Sequence, residues 1–290
     1  MHSAWVVMMI LAFASFGLAA GASGWKVEKL TGVYQFTEGP VWTPWGTLLF
    51  SDCPDNKIWE ITPAGSGTTR KVYRDPSGPS NGLTFDKQGR LVVCDYGHHR
   101  VTRIEKDGKV TVLADSYEGK RLNSPNDVVV KSDGSVYFTD PTYGVDAERQ
   151  ELPFKGVFRI KPDGKIDLLV DDCDMPNGLC FSADESKLYV ADSSDRRHIR
   201  VFKVAKDGTL TGGEVFAKLS DKGVPDGMKM GPEGNLYSSG AGGIWVFAPT
   251  GKHLGTIPVP ETPANLAWSD KDGKSLYITA QTGVYRARKN

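Results

Sequence analysis

Polar residues and short apolar segments follow one another along this chain in a unit that recurs six times. Each unit opens with a polar residue and a small or apolar pair, then continues through an apolar segment, a turn and a second apolar segment. The first polar residue and the end of the second segment are 14 or 15 residues apart in every unit. Because loop lengths vary freely, this constant spacing predicts one hairpin built six times. The leading polar residues are Glu38, Asn81, Asn126, Asn177, Asp226 and Asn265.

A second pair of apolar segments follows most of the first hairpins. Residues 101–104 and 157–160, for example, alternate apolar and polar side chains and end at turns rich in Pro, Asp and Gly, which is typical of antiparallel strands. Two hairpins per repeat of about 40 to 50 residues correspond to one blade of a propeller. The pattern therefore predicts an all-β fold, a six-bladed β-propeller with four-stranded antiparallel blades.

The two ends of the repeat series complement each other. The sixth repeat stops after residues 283–287 and lacks an outer strand, whereas residues 25–30 precede the first repeat and have no assigned partner. We predict that this N-terminal strand completes the last blade, because closure removes an exposed sheet edge.

One repeat carries an insertion. The distance from Asp140 to Gly164 is 24 residues, whereas Asp95 and Gly108 are 13 residues apart. We expect residues 141–154 to form a loop over one propeller face, of the kind that can serve as a lid.

The charge composition limits the classes of binding partner. Lys plus Arg equals Asp plus Glu, 35 each, so the net charge indicates no nucleic-acid or anionic-membrane partner.

Residues 4–20 form an uncharged apolar run, and Ala20-Gly21-Ala22 fits a signal-peptide cleavage site. We predict a signal peptide at residues 1–22, a single propeller domain at residues 23–290, and a secreted or periplasmic protein that leaves the membrane on cleavage. An uncleaved anchor and a buried helix are the alternatives, and oligomeric state is left open.

The four cysteines, Cys53, Cys94, Cys173 and Cys180, show no CxxC or His/Cys zinc spacing. Export would permit disulfides, and Cys173 and Cys180 are close enough in sequence to form one. We expect buried free thiols at all four positions.

The leading polar residues of the repeats predict a metal site. The first strand of each propeller blade lines the central channel, so equivalent residues of those strands form a ring at one height. Carboxylates and amide oxygens without Cys or His suit Ca²⁺, with Mg²⁺, Mn²⁺ or Zn²⁺ as alternatives. The two carboxylates, Glu38 and Asp226, balance the charge of one divalent ion.

Two other interpretations apply to the Asn-Gly and Asp-Gly pairs. Such pairs are strong hairpin-turn signals, and a small residue also lets two backbones approach closely. Turns a few residues later, at 132–134 and 232–234, already close the hairpins of two repeats, which favours the metal interpretation over the turn.

Longer motifs around these residues resemble the SMP-30/gluconolactonase family of six-bladed calcium propellers, and most closely its bacterial gluconolactonase-type members. The resemblance spans about residues 25–290 and is carried by Glu38-Gly39-Pro40, residues 122–128, 139–144, 175–179, 223–228 and 263–267. It implies that Glu38, Asn177 and Asp226 are similar to the family's metal ligands and that Asp226 is the candidate general base. Asn126 is similar to an Asn that ligates the metal in some members and contacts substrate in others.

The resemblance also implies substrate contacts. Vertebrate lactonase members carry an Arg two residues before the counterpart of Asn126, where this chain has Ser124. Arg121 lies nearby, either as a substitute or as a solvated loop cation. The candidate substrate-binding residues are Asn81, Arg121, Asn126, Tyr143 and Asn265.

The leading functional hypothesis is a metal-dependent hydrolase that opens a sugar lactone or a related lactone or ester, with the ion polarising the carbonyl and Asp226 acting as base. A phosphotriesterase-like hydrolase on the same site and a non-enzymatic, metal-braced binding propeller are the alternatives, since a fold does not choose among functions. We expect His98 and His99 to be non-catalytic. Structural hydrogen bonding is expected of the aspartates that end the second strands, Asp52, Asp95, Asp140 and Asp192.

Overall fold

Six antiparallel four-stranded sheets are arranged in a ring in the computed structural model, which describes residues 24–64, 67–219, 223–269 and 274–289. Their inner strands contact one another in sequence, and the inner strand of the first blade contacts those of the second and the sixth. The predicted six-bladed all-β propeller is therefore confirmed. The predicted signal peptide lies outside the described residues and stays a prediction, as does the domain boundary drawn after it.

The strands are numbered along the chain. Blade 1 contains β2 to β5, Thr37–Trp42, Leu48–Asp52, Lys57–Ala64 and Gly67–Arg74. Blade 2 contains β6 to β9, Ser80–Phe85, Leu91–Asp95, Arg100–Ile104 and Val110–Ala114. A small hairpin, β10 and β11, covers Ser116–Tyr117 and Lys120–Arg121. Blade 3 contains β12 to β15, Val128–Val130, Val136–Asp140, Gly156–Ile160 and Ile166–Val170.

The second half repeats this plan. Blade 4 contains β16 to β19, Pro176–Phe181, Lys187–Asp192, His198–Val204 and Leu210–Lys218. Blade 5 contains β20 to β23, Met228–Met230, Leu236–Gly240, Gly243–Phe247 and His253–Pro258. Blade 6 contains β24 to β26, Pro263–Trp268, Ser275–Ala280 and Gly283–Lys289, together with β1, Trp25–Gly32. Two short 3-10 helices cover Tyr96–His98 and Ala147–Arg149.

Closure of the ring uses the N-terminal strand, as predicted. Strand β1 pairs antiparallel with β26, with Trp25 opposite Lys289 and Gly32 opposite Gly283. The Trp25 ring also packs against Tyr237 and Trp268. Because β1 covers the outer edge of β26, the last blade has the same four strands as the others.

Apolar side chains pack mainly between neighbouring blades. The described residues form six buried clusters, and each cluster joins two consecutive blades. Tyr137 and Leu179, for example, bring blades 3 and 4 together, whereas Phe50 and Tyr277 bring blades 1 and 6 together. Each blade therefore depends on both neighbours for its core, and the ring buries its apolar surface only when complete.

Aspartates at the ends of second strands hold the chain that enters the inner strand. The Asp140 carboxylate accepts hydrogen bonds from the backbone N–H groups of Asn123 and Ser124, at 2.8 and 2.7 Å. Asp52 does the same for Gln35 and Phe36, and Asp192 for Asp174 and Met175. These contacts confirm the structural interpretation, and they fix the segments that lead into the channel.

All four cysteines are buried and free, as expected. In the part of the chain that the structure describes, no helix is long and apolar enough to cross a membrane.

Candidate active site

The leading polar residues of the repeats lie at the entrances of the inner strands. Glu38, Asn81 and Asn177 are the second residues of their strands and Asn265 is the third, whereas Asn126 and Asp226 each precede a strand by two residues. The hairpin turns of the same repeats lie further along the chain, at the other end of these strands. These Asn-Gly and Asp-Gly pairs are therefore not the hairpin turns of their repeats.

Glycines after the leading polar residues let neighbouring blades approach at the channel. A Cβ on Gly39 would lie 2.0 Å from the Asn81 carbonyl oxygen, and one on Gly178 would lie 2.1 Å from the Asp226 carbonyl oxygen. No side chain fits at either position, so the close-approach interpretation is confirmed there. The same packing places leading residues of adjacent blades side by side.

Two carboxylates of the ring influence each other electrostatically. Burial raises the pKa of Glu38 to about 7; a 2.9 Å hydrogen bond from Gly39 N–H opposes this shift and the charge of Asp127 adds to it. Burial and then the charge of Glu38 raise the pKa of Asp226 well above its usual range. Asp226 keeps some accessible surface, so it is the more open of the two. The pair forms a concentrated negative site that favours a cation.

Asp127 is a third carboxylate here, and the sequence did not single it out. Its buried side chain lies with Oδ2 at 3.5 Å from Nδ2 of Asn265, while Oδ1 accepts a 2.9 Å hydrogen bond from Val128 N–H. Its charge raises the pKa of both Glu38 and Asp226. The available signal was the Asn126-Asp127 pair, because an acidic residue there departs from the polar-then-small pattern.

Asn177 links the ring to the inserted loop. Its amide group hydrogen-bonds with the Asp226 carboxylate and donates through Nδ2 to the Tyr143 hydroxyl at 3.4 Å. Although 52% of Tyr143 is exposed, partial desolvation, followed by the charge of Asp226, raises its pKa to about 12. Tyr143 therefore stays neutral at physiological pH beside the two predicted metal ligands.

Asn265 supports the carboxylates from inside the ring. Its Oδ1 accepts a hydrogen bond from Leu266 N–H at 2.8 Å, and its amide also hydrogen-bonds with Glu38. Asn81 contributes its backbone to the neighbouring blade, since its carbonyl oxygen accepts from the Ser51 hydroxyl at 2.8 Å. The contacts described for these two residues position the ring; a contact of either with substrate stays a prediction.

The inserted loop, residues 141–154, packs over the entrance to blade 3. Gly144 N–H donates to the Ser124 hydroxyl at 3.1 Å. Arg121 donates through its backbone N–H to Glu151 at 2.7 Å and through Nη2 to the Arg149 carbonyl at 3.0 Å. The structure thus places Arg121 against the loop rather than among the ring residues.

The histidine pair is held by nearby polar groups. His98 Nδ1 lies 2.9 Å from Asp95 Oδ1, and Arg100 Nε donates to the same carboxylate at 2.8 Å. His99 Nδ1 contacts the Asn123 carbonyl oxygen. Both rings therefore tie the 3-10 turn after β7 to its surroundings.

The sequence of this chain is similar to those of a known protein family. The model of the SMP-30/Gluconolactonase/LRE-like region matches residues 36–282. The chain belongs to that family. It is 37% identical to a gluconolactonase of Zymomonas mobilis, over 90% of this chain and 81% of that protein. It is 28% identical to regucalcin of Xenopus laevis, over 88% of this chain and 86% of that protein.

A solved structure is also similar to this chain in both fold and sequence. The gluconolactonase of Xanthomonas campestris shares 34% sequence identity and a TM-score of 0.85, covering 93% of this chain and 92% of that one. The ring residues described above therefore lie in a fold shared with a family gluconolactonase along almost its whole length.

The donor set fits a hard divalent cation. Among the described residues, no three or more His, Cys, Asp and Glu side chains are grouped closely enough to hold a metal ion by themselves. A site in this family member would therefore combine the carboxylates of Glu38 and Asp226 with the amide oxygens of Asn126 and Asn177, the oxygen ligands that Ca²⁺ accepts. Burial and, to a smaller degree, neighbouring carboxylates raise the pKa values of both carboxyls, and a divalent cation would stabilise their ionised forms.

Proposed function

We propose that this protein is a metal-dependent lactonase that opens a sugar lactone or a related lactone or ester. The observation that carries the proposal is the juxtaposition of Asp226, Glu38 and Asn177 at the channel entrance. Relatives above 30% identity that bear the name gluconolactonase support it.

Glu38, Asn126, Asn177 and Asp226 would hold the cation, with Ca²⁺ favoured by the oxygen-only donor set and Mg²⁺, Mn²⁺ or Zn²⁺ as alternatives. When bound, the cation would polarise the lactone carbonyl and lower the pKa of a water molecule.

Asp226 is the residue proposed to move the proton. As the water oxygen bonds to the carbonyl carbon, the Asp226 carboxylate accepts the proton that the water loses. The bond between that carbon and the ring oxygen then breaks, and the proton passes from Asp226 to the departing oxygen. One lactone and one water therefore give one hydroxy acid. Asn177 orients the carboxylate through the hydrogen bond described above, and neutral Tyr143 borders the substrate space.

A titrimetric assay over a panel of lactones tests this function. The purified protein is assayed at constant pH with D-glucono-δ-lactone, γ-lactones and δ-lactones, in the presence of Ca²⁺ or of a chelator. We expect turnover with Ca²⁺ and a loss of at least about a hundredfold with chelator, restored by adding Ca²⁺, because the cation supplies most of the stabilisation of developing charge. Hydrolysis of no lactone, or hydrolysis insensitive to chelator, would contradict the proposal.

A further inference from the structure

The chain immediately before each leading polar residue forms the rim of the channel entrance. We define the rim positions as the residues two places before the six leading polar residues. Five of them are apolar and none is charged. The rim positions are Phe36, Pro79, Ser124, Met175, Val224 and Pro263.

Large apolar side chains at this entrance remain in water. Phe36 is 41% exposed and Val224 is 38% exposed, and Tyr143 of the inserted loop is 52% exposed while its hydroxyl contacts Asn177. The other rim positions are less exposed, and Ser124 and Pro263 are buried. Exposed apolar side chains beside a polar site are typical of a ligand-contacting surface.

The rim is held in place by hydrogen bonds to its backbone. Asp52 accepts from Phe36 N–H at 3.0 Å. The Ser193 hydroxyl donates to the carbonyl of Pro225, the residue after Val224, at 2.5 Å. The exposed rings and methyl groups are therefore presented on a fixed backbone, which favours binding because little ordering is needed.

Three arginines near the entrance are paired with carboxylates. Arg121 Nε lies 3.5 Å from Glu151, Arg100 contacts Asp95 at 2.8 Å, and Arg196 contacts Asp174 at 2.8 Å. A polyhydroxylated ring loses water from several hydroxyls on binding and needs hydrogen-bond partners for them. Phe36 and Val224 offer carbon surface instead, whereas Asn126 and Asn177 are buried.

We propose that this site prefers lactones with an apolar ring substituent, such as alkyl δ-lactones, over polyhydroxylated sugar lactones. This inference rests on the proposed lactonase function and specifies its substrate class. The ester group lies at the polar ring, and the substituent lies against Phe36, Tyr143 and Val224. A fully buried methylene changes affinity by about fourfold, so a partly open rim predicts about a twofold to threefold gain per methylene.

The decisive assay is a homologous series. With Ca²⁺ present, kcat/KM is measured for δ-valerolactone, δ-hexalactone, δ-octalactone, δ-decalactone and D-glucono-δ-lactone. We expect kcat/KM to rise along the alkyl series, mainly through KM, and δ-decalactone to exceed the sugar lactone by about tenfold or more. A flat series, or a sugar lactone that is best, would overturn the substrate class while leaving lactonase function intact.

Substitutions test whether the rim side chains cause the dependence of kcat/KM on alkyl-chain length. Phe36→Ser and Val224→Ser are expected to flatten the alkyl series. Val215→Ser and Leu254→Ser are matched controls, because these side chains are 57% and 50% exposed on the outer strands β19 and β23, and the series should keep its slope. A slope that is unchanged in both rim variants, or equally reduced in the controls, would contradict the inference.

Measuring the binding of lactams that are not hydrolysed tests the rim preference separately from the lactonase function. Calorimetry on the wild-type protein compares alkyl-substituted δ-valerolactams with the polyhydroxylated gluconolactam, since lactams resist hydrolysis. Tighter binding of the alkyl lactams without turnover of any lactone would refute the lactonase proposal but support the rim. Equal or tighter binding of gluconolactam would refute the rim inference whatever the turnover.

Discussion

At the scale of single residues, the channel entrance contains acidic residues that are distant in sequence and that the packing of different blades brings together. Glu38 and Asp226 were predicted as partners because they occupy equivalent positions in different repeats. Asp127 was not, because its role depends on where its side chain lies relative to Asn265, and a sequence pattern contains no such distance. Arg121 shows the same limit, since its partner Glu151 is 30 residues away in a loop of irregular path.

Replacing Glu38 by Gln should have opposite effects with and without cation. Because burial raises the pKa of Glu38 to about 7, its ionisation at pH 8 opposes folding when no cation is bound. We expect Glu38→Gln to raise the free energy of unfolding in chelator by about 1–3 kcal/mol and to remove most of the stabilisation by Ca²⁺. Thermal unfolding in both conditions measures this.

Glu60 provides a matched control. It is also a buried glutamate, but it accepts hydrogen bonds from Trp45 and Thr47, and its pKa is lowered. Glu60→Gln should therefore destabilise the protein in chelator and leave the Ca²⁺ shift unchanged. If Glu38→Gln behaved like Glu60→Gln, the assignment of Glu38 to the cation would be wrong.

At the scale of strands and loops, repeat spacing was more informative than local residue preference. Asn177-Gly178 favours a turn when considered alone, yet it lies within β16. The constant offset between repeats predicted a strand entrance there, because the neighbouring blade rather than the dipeptide decides the conformation. The length of the inserted loop also predicted its position over a face, but not the contact between Tyr143 and Asn177.

Substituting Gly178 by Ala should disturb both the strand and the site. A Cβ there would lie 2.1 Å from the Asp226 carbonyl oxygen, so the backbone beside Asp226 must move. We expect a loss of about 2–3 kcal/mol in unfolding free energy and weaker Ca²⁺ binding by calorimetry. Gly67→Ala is the control, since no atom lies within 4 Å of a Cβ there. Equal stability of the two variants would show that the close approach is not restrictive.

At the scale of the whole molecule, the closure of the ring could be predicted from the sequence. The sixth repeat lacked a strand and residues 25–30 lacked a partner, and the two pair as β26 and β1. The six inter-blade clusters could not be listed in advance, because which apolar residues meet depends on the stagger of adjacent sheets.

The stability of the whole ring should depend on pH through the channel carboxyls. The folded-state pKa of Glu38, about 7, and that of Asp226 exceed their unfolded values. Without cation, the folded state therefore binds more protons. The contribution of Glu38 to stability is lost as pH rises from 4.5 through about 7, and that of Asp226 is lost as pH rises through its own raised pKa. A cation must displace those protons, so Ca²⁺ stabilises more at high pH.

We expect the Tm difference between Ca²⁺ and chelator to be roughly 4 °C or more larger at pH 8 than at pH 5.5. Differential scanning fluorimetry at both pH values measures it. An equal difference at the two pH values would mean that these carboxyls do not bind the ion.

In the proposed mechanism, Asp226 both binds the cation and moves the proton. The direct measurement is kcat for lactone hydrolysis together with the Kd for Ca²⁺, for wild type and Asp226→Asn. Because Asn keeps an oxygen ligand but is no base, we predict a fall in kcat of about a hundredfold or more, clearly larger than the loss of Ca²⁺ affinity. Equal losses of kcat and affinity would show that Asp226 is a ligand only and would contradict the account.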